Sequence, residues 1–243
     1  MRRITLLVVV ALLLASCSSQ ATTTPEPTEA PALPTVAAPT MAAPTVMAPA
    51  STEPVVTEAA PSAGGVVVYK IVPGESTVSY EVGETFFSEN NRFAVAVGVT
   101  SDVNGEVQVD LTNPQNSLLG PVTVDISKLQ SDSGRRDGRI REQWLESARY
   151  PIATFTPTST EGLPSAYTEG QPINFKVAGD LTVREATQPV TFDVTATLQD
   201  GALTGTATTT ILMSAFGVGP IEIAGILGTE DEVKLTISFV ARP

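Results

Sequence analysis

In the stretch PINFKVAGDLTVR, residues 172–184, apolar and polar side chains take turns along the chain. Ile173, Phe175, Val177, Leu181 and Val183 fall on one side, and Asn174, Lys176, Asp180, Thr182 and Arg184 on the other. A helix would scatter both sets around its circumference, whereas a strand sends successive side chains to opposite faces. The segment therefore belongs to a sheet with one buried and one wet face, the usual condition of antiparallel sheets. A turn through Glu185 to Gln188 leads into PVTFDVTATL, which puts Val190, Phe192, Val194, Ala196 and Leu198 on one face. Gln199-Asp200-Gly201 then supplies a hairpin turn. In ALTGTATTTILM the inward set is Leu203, Gly205, Ala207, Thr209, Ile211 and Met213, and in EVKLTISFVA it is Val233, Leu235, Ile237, Phe239 and Ala241.

Earlier strands are expected at Val66 to Ile71, Thr77 to Val82, Phe93 to Val99, Glu106 to Leu111, Val122 to Ile126 and Ile152 to Thr158, with Asn104-Gly105 as the turn between the third and fourth. Eight to ten strands of this length in an open sheet would leave long unpaired edges, so closure into an antiparallel all-β barrel of about eight strands is the better arrangement. A barrel of that size is just wide enough to be filled by side chains or to hold one slender ligand. Inward Gly179, Ala196, Gly205 and Ala207 leave room that larger residues would fill. A sandwich with a dry core is the alternative.

The residues before position 66 are of another kind. MRRITLLVVVALLLASCSSQ opens with two arginines and an apolar run from Ile4 to Leu14. The run is short of the roughly 20 residues that span a bilayer and has the form of an export signal. It ends in Leu14-Ala15-Ser16-Cys17, which resembles a bacterial lipobox: cleavage before Cys17 and acylation of its thiol, the chain's only one, are expected. Two or three acyl chains would anchor the protein stably to the outer face of a bacterial membrane. The division expected is a signal over 1–16, lipidated Cys17 with a Pro/Thr/Ala-rich stalk over 17–65, and a folded domain over 66–243.

Nine of the 19 prolines lie between Pro25 and Pro61, in a segment without an aromatic, lysine or arginine. Such a composition offers no apolar face to offset the entropy of ordering, so an extended spacer is expected, reaching up to roughly 150 Å at about 3.1 Å per residue. Without Arg2 and Arg3, 12 Lys and Arg remain against 26 Asp and Glu, a net charge of about −14. Nucleic acid is excluded as a natural partner by that charge. With no histidine and its one thiol lipidated, the domain is expected to hold neither zinc nor a disulfide, and no cofactor motif is present.

One segment departs from strand patterning. RRDGRIREQWLESARYPIATF, residues 135–155, carries five arginines and the only tryptophan. Asp132 or Ser133 can cap a helix there, and Ile140, Trp144, Leu145 and Ala148 form one apolar stripe suited to cover a barrel mouth. Asp137 with Arg141, and Glu146 with Arg149, are spaced to pair, and Tyr150-Pro151 ends the helix. The arginines fit a clasp held to an acidic barrel, or contact by Arg136 or Arg139 with a ligand headgroup.

Several spaced motifs resemble the YceI-like domain family, bacterial exported proteins with a lipocalin-like barrel that binds polyisoprenoids or related long-chain lipids. They are Tyr69-Lys70-Ile71-Val72-Pro73-Gly74-Glu75-Ser76-Thr77-Val78-Ser79-Tyr80, Arg136-Asp137 through Tyr150-Pro151 and Phe155, Val177-Ala178-Gly179-Asp180-Leu181-Thr182-Val183 before Pro189-Val190, and Phe216-Gly217. The likeness covers Tyr69 to Ala241. Two positions depart from it: Arg139 stands where a histidine is usual, and Val72 where an acid often precedes the first proline. No role of that histidine carries over. The apolar wall does, because an apolar ligand needs shape and dryness more than any single side chain.

The resemblance implies a membrane-anchored binding protein for an isoprenoid or long-chain acyl lipid, with Trp144, Phe155, Phe175, Leu181, Phe192 and Phe216 as wall and mouth. A stalked module that contacts protein or glycan around a dry core is the alternative. Catalysis is not expected: the carboxylates are scattered on turns, and Ser76 and Ser214 have no evident base. The apolar segment Ile211 to Gly228 is either a flexible lip or a tight connection packed into the core, with Ile221 and Ile223 alternating about Glu222 as in a short strand.

Overall fold

The computed structural model describes residues 65–243; the expected signal, Cys17 and the expected stalk up to residue 64 lie outside the described residues. Thirteen strands form one antiparallel sheet. They are β1 (Val66–Ile71), β2 (Thr77–Phe86), β3 (Arg92–Thr100), β4 (Val103–Asn104), β5 (Glu106–Asp110), β6 (Leu118–Leu119), β7 (Val122–Asp125), β8 (Ile152–Glu161), β9 (Ile173–Val183), β10 (Ala186–Gln199), β11 (Ala202–Leu212), β12 (Glu222–Ile223) and β13 (Leu227–Arg242). Apart from the two-residue β12, they merge into eight ribbons, because β1 with β2, β3 with β4 and β5, and β6 with β7 are consecutive pieces of bent strands.

The sheet closes on itself. β13 pairs with β11 on one side and with β1 and β2 on the other. β1 and β2 in turn pair with β5 and β3. The ring is completed where Val103 and Asn104 face Val124 and Thr123, and where Val107 and Gln108 face Leu119 and Leu118. Towards its other end β3 has β2 on one side only. A backbone bridge between Val99 and Gln130 begins that gap, and the helical segment α1 (Gly134–Arg139) follows it in the chain.

Asn104-Gly105 is not a turn. Asn104 pairs within a ladder and the strand runs on into β5, the bend falling instead at Ser101-Asp102. Gly105 serves packing: a Cβ there would lie 3.1 Å from both Ile71 Cδ1 and Val122 Cγ2, so a side chain at this barrel corner would press the two methyl groups aside. The turn at Asp200-Gly201 is as expected, with both residues at positive φ (51° and 73°) between paired Gln199 and Ala202. The β9–β10 hairpin is tighter than Glu185 to Gln188. Val183 pairs with Ala186, and Arg184 takes the left-handed conformation (φ 57°).

The alternation predicts the faces of β9, β10, β11 and β13. Val177, Leu181, Phe192, Val194, Ala196 and Ala207 are all buried in one apolar cluster. In β3 the small residues face in, and Phe93, Val95, Val97 and Val99 face out. Tyr80 explains this, since a Cβ on Gly98 would lie 2.2 Å from its ring carbon Cε1. β2 continues past Val82 to Phe86 and carries an acid, Glu84, on its buried face. The space beside inward Gly179 and Gly205 is not empty as expected: the rings of Phe155 and Phe239 fold over them, each with Cζ 2.7 Å from where a Cβ would stand.

Gly205→Ala is expected to destabilise the fold by about 1–3 kcal/mol, because the new methyl would meet the Thr195 carbonyl oxygen at 2.2 Å and the Ala196 Cα at 2.9 Å, neither of which can move freely. Gly138→Ala, in a helical turn with nothing within 4 Å of the new atom, should instead stabilise by up to about 1 kcal/mol. Urea midpoints at unchanged slope measure both.

Candidate functional site

The barrel interior holds two apolar cavities that share a wall. One, of about 150 Å³, is bounded by Phe175, Val177, Ala196, Ala207, Phe239 and the Tyr167 ring, among others. Tyr167 is fixed in that wall, its hydroxyl accepting from Leu198 N and donating to Leu198 O, both at 2.7 Å. The other cavity, of about 180 Å³, lies under the helical segment and is bounded by Tyr80, Trp144, Leu145, Leu181, Phe216 and Ile221 with their neighbours. Val122, Phe155, Phe192 and Ile237 border both. Phe155 and Phe192 meet edge to face, with centroids 5.0 Å apart and planes at 72°, so one aromatic pair divides the two chambers. Their walls are almost wholly apolar, which suits an apolar guest.

Trp144, Phe155, Phe175, Leu181, Phe192 and Phe216 all border the cavities. Arg136 borders the upper one. Arg139 borders neither and points to solvent, which corrects its expected place at the mouth. The reason is helical geometry: Arg136 and Ile140 share the inner face four residues apart, and Arg139 falls outside it.

The clasp departs from a plain helix. Ser133 caps it, its Oγ accepting from Arg136 N at 3.4 Å. After Arg139 the chain widens into a π turn over Ile140–Trp144, with Leu145 N donating to Ile140 O at 2.8 Å. Glu146 then leaves at φ 46°, so the helix ends before Tyr150-Pro151 and Ala148 is exposed, outside the apolar stripe. The wider turn brings Ile140, Trp144 and Leu145 together over the upper chamber.

The expected helical ion pairs are replaced by longer-range ones. Asp137 does not meet Arg141; its buried carboxylate accepts from Ser131 N at 3.0 and 3.1 Å and from Ser131 Oγ at 2.6 Å, locking the loop before the helix. Arg141 instead donates to Leu129 O at 2.9 Å. Glu146 pairs with Arg184, and Arg149 with Glu185. Arg184 also donates to Trp144 O at 3.0 Å and Gly217 O at 3.2 Å, which fastens the clasp and the turn after β11 to the β9–β10 hairpin. Across the mouth Arg136 reaches Glu84, Nη2 to Oε2, at 3.0 Å.

Arg184, Glu84 and Tyr80 are the site residues that sequence reasoning did not single out. Arg184 reads as one more polar residue of an alternating strand, and only the left-handed turn brings it to the clasp. Glu84 has a signal: it stands two residues beyond Val82 on the same strand face, an acid in an apolar row. Within Ile211 to Gly228 the packed reading holds, with Met213, Phe216 and Ile221 buried and Glu222–Ile223 a short strand. Ser76 is structural, its Oγ accepting from Val240 N at 3.0 Å and donating to Val240 O at 3.2 Å. Ser214 is held by Asp231 at the start of a short helical turn.

The fold and the site define a hollow antiparallel β-barrel with an apolar, aromatic-divided interior and a helical cover at one end. The chain belongs to the YceI-like domain family, whose model matches residues 69–241. Protein YceI of Escherichia coli O157:H7 is 31% identical over 97 residues, which are 40% of this chain and 46% of that protein. Protein YceI of Shigella flexneri is 30% identical over the same shares. The chain thus matches about half the length of these curated relatives. Among solved structures, Burkholderia cenocepacia BcnA superposes with a TM-score of 0.56 at 21% identity, covering 70% of this chain and 98% of that one. A polyisoprenoid binding domain from Saccharophagus degradans, implicated in plant cell wall breakdown, superposes with a TM-score of 0.52 at 10% identity over 72% and 97%. Both likenesses are of fold.

Phe192→Ala should fuse the two chambers and destabilise the barrel by about 3–5 kcal/mol. Urea unfolding followed by the emission of Trp144, the only tryptophan of the chain, measures the loss.

Proposed function

We propose that this protein is a membrane-anchored, extracytoplasmic binding protein whose barrel holds a polyisoprenoid or other long-chain apolar lipid. The observation that carries the reading is the pair of adjoining apolar cavities with Phe155 and Phe192 between them. A chain-like ligand would occupy both by parting the two rings, exchanging their edge-to-face contact, about 0.5–1.5 kcal/mol, for burial of its own apolar surface at about 25 cal/mol per Å². These cavities favour the binding reading over a pure contact module, for which a packed core is expected. Membership of the family and the fold shared with a polyisoprenoid binding domain support the same reading.

The protein holds its ligand rather than converting it. Ser76 and Ser214, the two candidate nucleophiles, are engaged by backbone and carboxylate groups outside the chambers. Anchoring through acylated Cys17, with residues 18–65 as a spacer, would set the barrel away from the membrane from which an apolar ligand is drawn. The sequence supports this part of the proposal through the apolar run, the Leu14-Ala15-Ser16-Cys17 box and the proline-rich composition.

Solvent extraction of the purified full-length protein, followed by mass spectrometry, is expected to release a long-chain isoprenoid or acyl lipid. Protein that carries none, and takes up none when offered an isoprenoid alcohol, would overturn the binding role. Separately, Cys17→Ala should abolish incorporation of labelled palmitate and release the protein from the membrane fraction; retention of the label would refute the anchor.

A further inference from the structure

The upper chamber is apolar except at one place beneath the clasp. There Glu84, 5% exposed, faces inward from β2 and meets Arg136. Arg136 is fully engaged in this cluster: it also donates to Ser131 Oγ at 3.2 Å and pairs with Asp132. The buried Asp137 carboxylate lies in the same group, held by Ser131. The guanidinium is therefore paired with two carboxylates, Glu84 and Asp132, and the third, Asp137, is joined to it only through Ser131 Oγ.

Beside this cluster is the phenol of Tyr80. Its ring borders the chamber and lies across Gly98, whose missing side chain makes space for it. Its hydroxyl has no hydrogen-bond partner among the described residues, although nearly every other polar group around it has one. It is not one of the wholly buried unpaired atoms, which among the described residues are Arg184 Nε and Thr236 Oγ1, so it keeps some accessible surface at which a further partner can meet it. Burial pushes the Tyr80 pKa up to about 12, against the opposing pull of Arg136, so the hydroxyl keeps its proton over the ordinary pH range. It is a donor and acceptor at the polar end of an otherwise apolar chamber.

Resting on the lipid-binding reading above, we propose that the Tyr80 hydroxyl fastens the polar end of the ligand in the upper chamber, and that this end is an uncharged hydroxyl or carbonyl rather than a phosphate or carboxylate. An anionic head would have to enter beside Glu84, and Arg136, the one arginine that borders this chamber, is already engaged by Glu84, Asp132 and Ser131; a buried charge without a partner is strongly unfavourable. A neutral head needs only one hydrogen bond and loses little on leaving water if it makes that bond. The ligand is thereby oriented, its head beneath the clasp and its tail directed past Phe155 and Phe192 into the lower chamber.

Three probes with isoprenoid tails of matched length test this on the full-length protein: geranylgeraniol, geranylgeranyl diphosphate and the hydrocarbon phytane. Binding is read by the change in Trp144 emission, since that residue borders the upper chamber. Wild-type protein is expected to bind the alcohol more tightly than the diphosphate. Tyr80→Phe, which keeps the ring over Gly98, should weaken the alcohol about fivefold, the worth of one neutral hydrogen bond of about 1 kcal/mol, and leave phytane unchanged. Equal binding of the alcohol by wild type and Tyr80→Phe, or preference of the wild type for the diphosphate, overturns the inference while leaving the lipid-binding reading intact. Binding of none of the three by the wild type overturns that reading itself, and this inference with it.

Discussion

The structure depends on closure of the ladder at one short place. Two residue pairs between β4 and β7, with two more between β5 and β6, join the second ribbon to the third and leave no free edge at that end of the barrel. Gly105 assists this by letting Ile71 and Val122 approach where a side chain would intrude. Once the ring is closed, the inward faces of eight ribbons confront one another across a space that their side chains do not fill. Hollowness follows from this geometry more than from small residues, since the space beside Gly179 and Gly205 is taken up by phenyl rings.

At the other end the ring is incomplete, because β3 has a strand partner on one side only. The chain meets this with the clasp. Its π turn places three apolar side chains over the chamber, while its charged groups reach outward to three different places: Glu84 on β2, Glu185 in the β9–β10 turn, and Arg184, which returns the contact to Glu146 and Trp144. Exposed ion pairs contribute little each. Arg184 and Arg136 are only about one-fifth exposed and bind backbone or hydroxyl groups besides their acids, so these two are the effective fasteners.

Much of the architecture was legible in the chain. The period-two pattern of residues 173–183, 190–198, 203–213 and 233–241 assigns each inward side chain, because a strand whose faces see different solvents cannot slip by one residue without exposing its apolar set. Phe175, Leu181 and Phe192 were legible for the same reason, whereas Trp144 and Phe216 stand on helical turns outside that pattern. Where reading failed, local and tertiary demands gave different answers: Asn104-Gly105 has the composition of a turn but occupies a barrel corner, Ala148 has helical spacing but follows a helix already ended at Glu146, and the expected pairs of Asp137 and Glu146 were taken by partners distant in sequence.

By itself, then, the sequence determined the sheet, its antiparallel sense, the burial of its faces and the family to which the domain belongs, all of which follow from short-range alternation and spaced motifs. Only the tertiary structure decided that the interior is divided by Phe155 and Phe192, that Arg136 is neutralised by Glu84 from 52 residues away, and that Tyr80 is left without a partner in the chamber. Cavities, long-range ion pairs and unsatisfied groups belong to the space between ribbons, and that space exists only once the ring has closed.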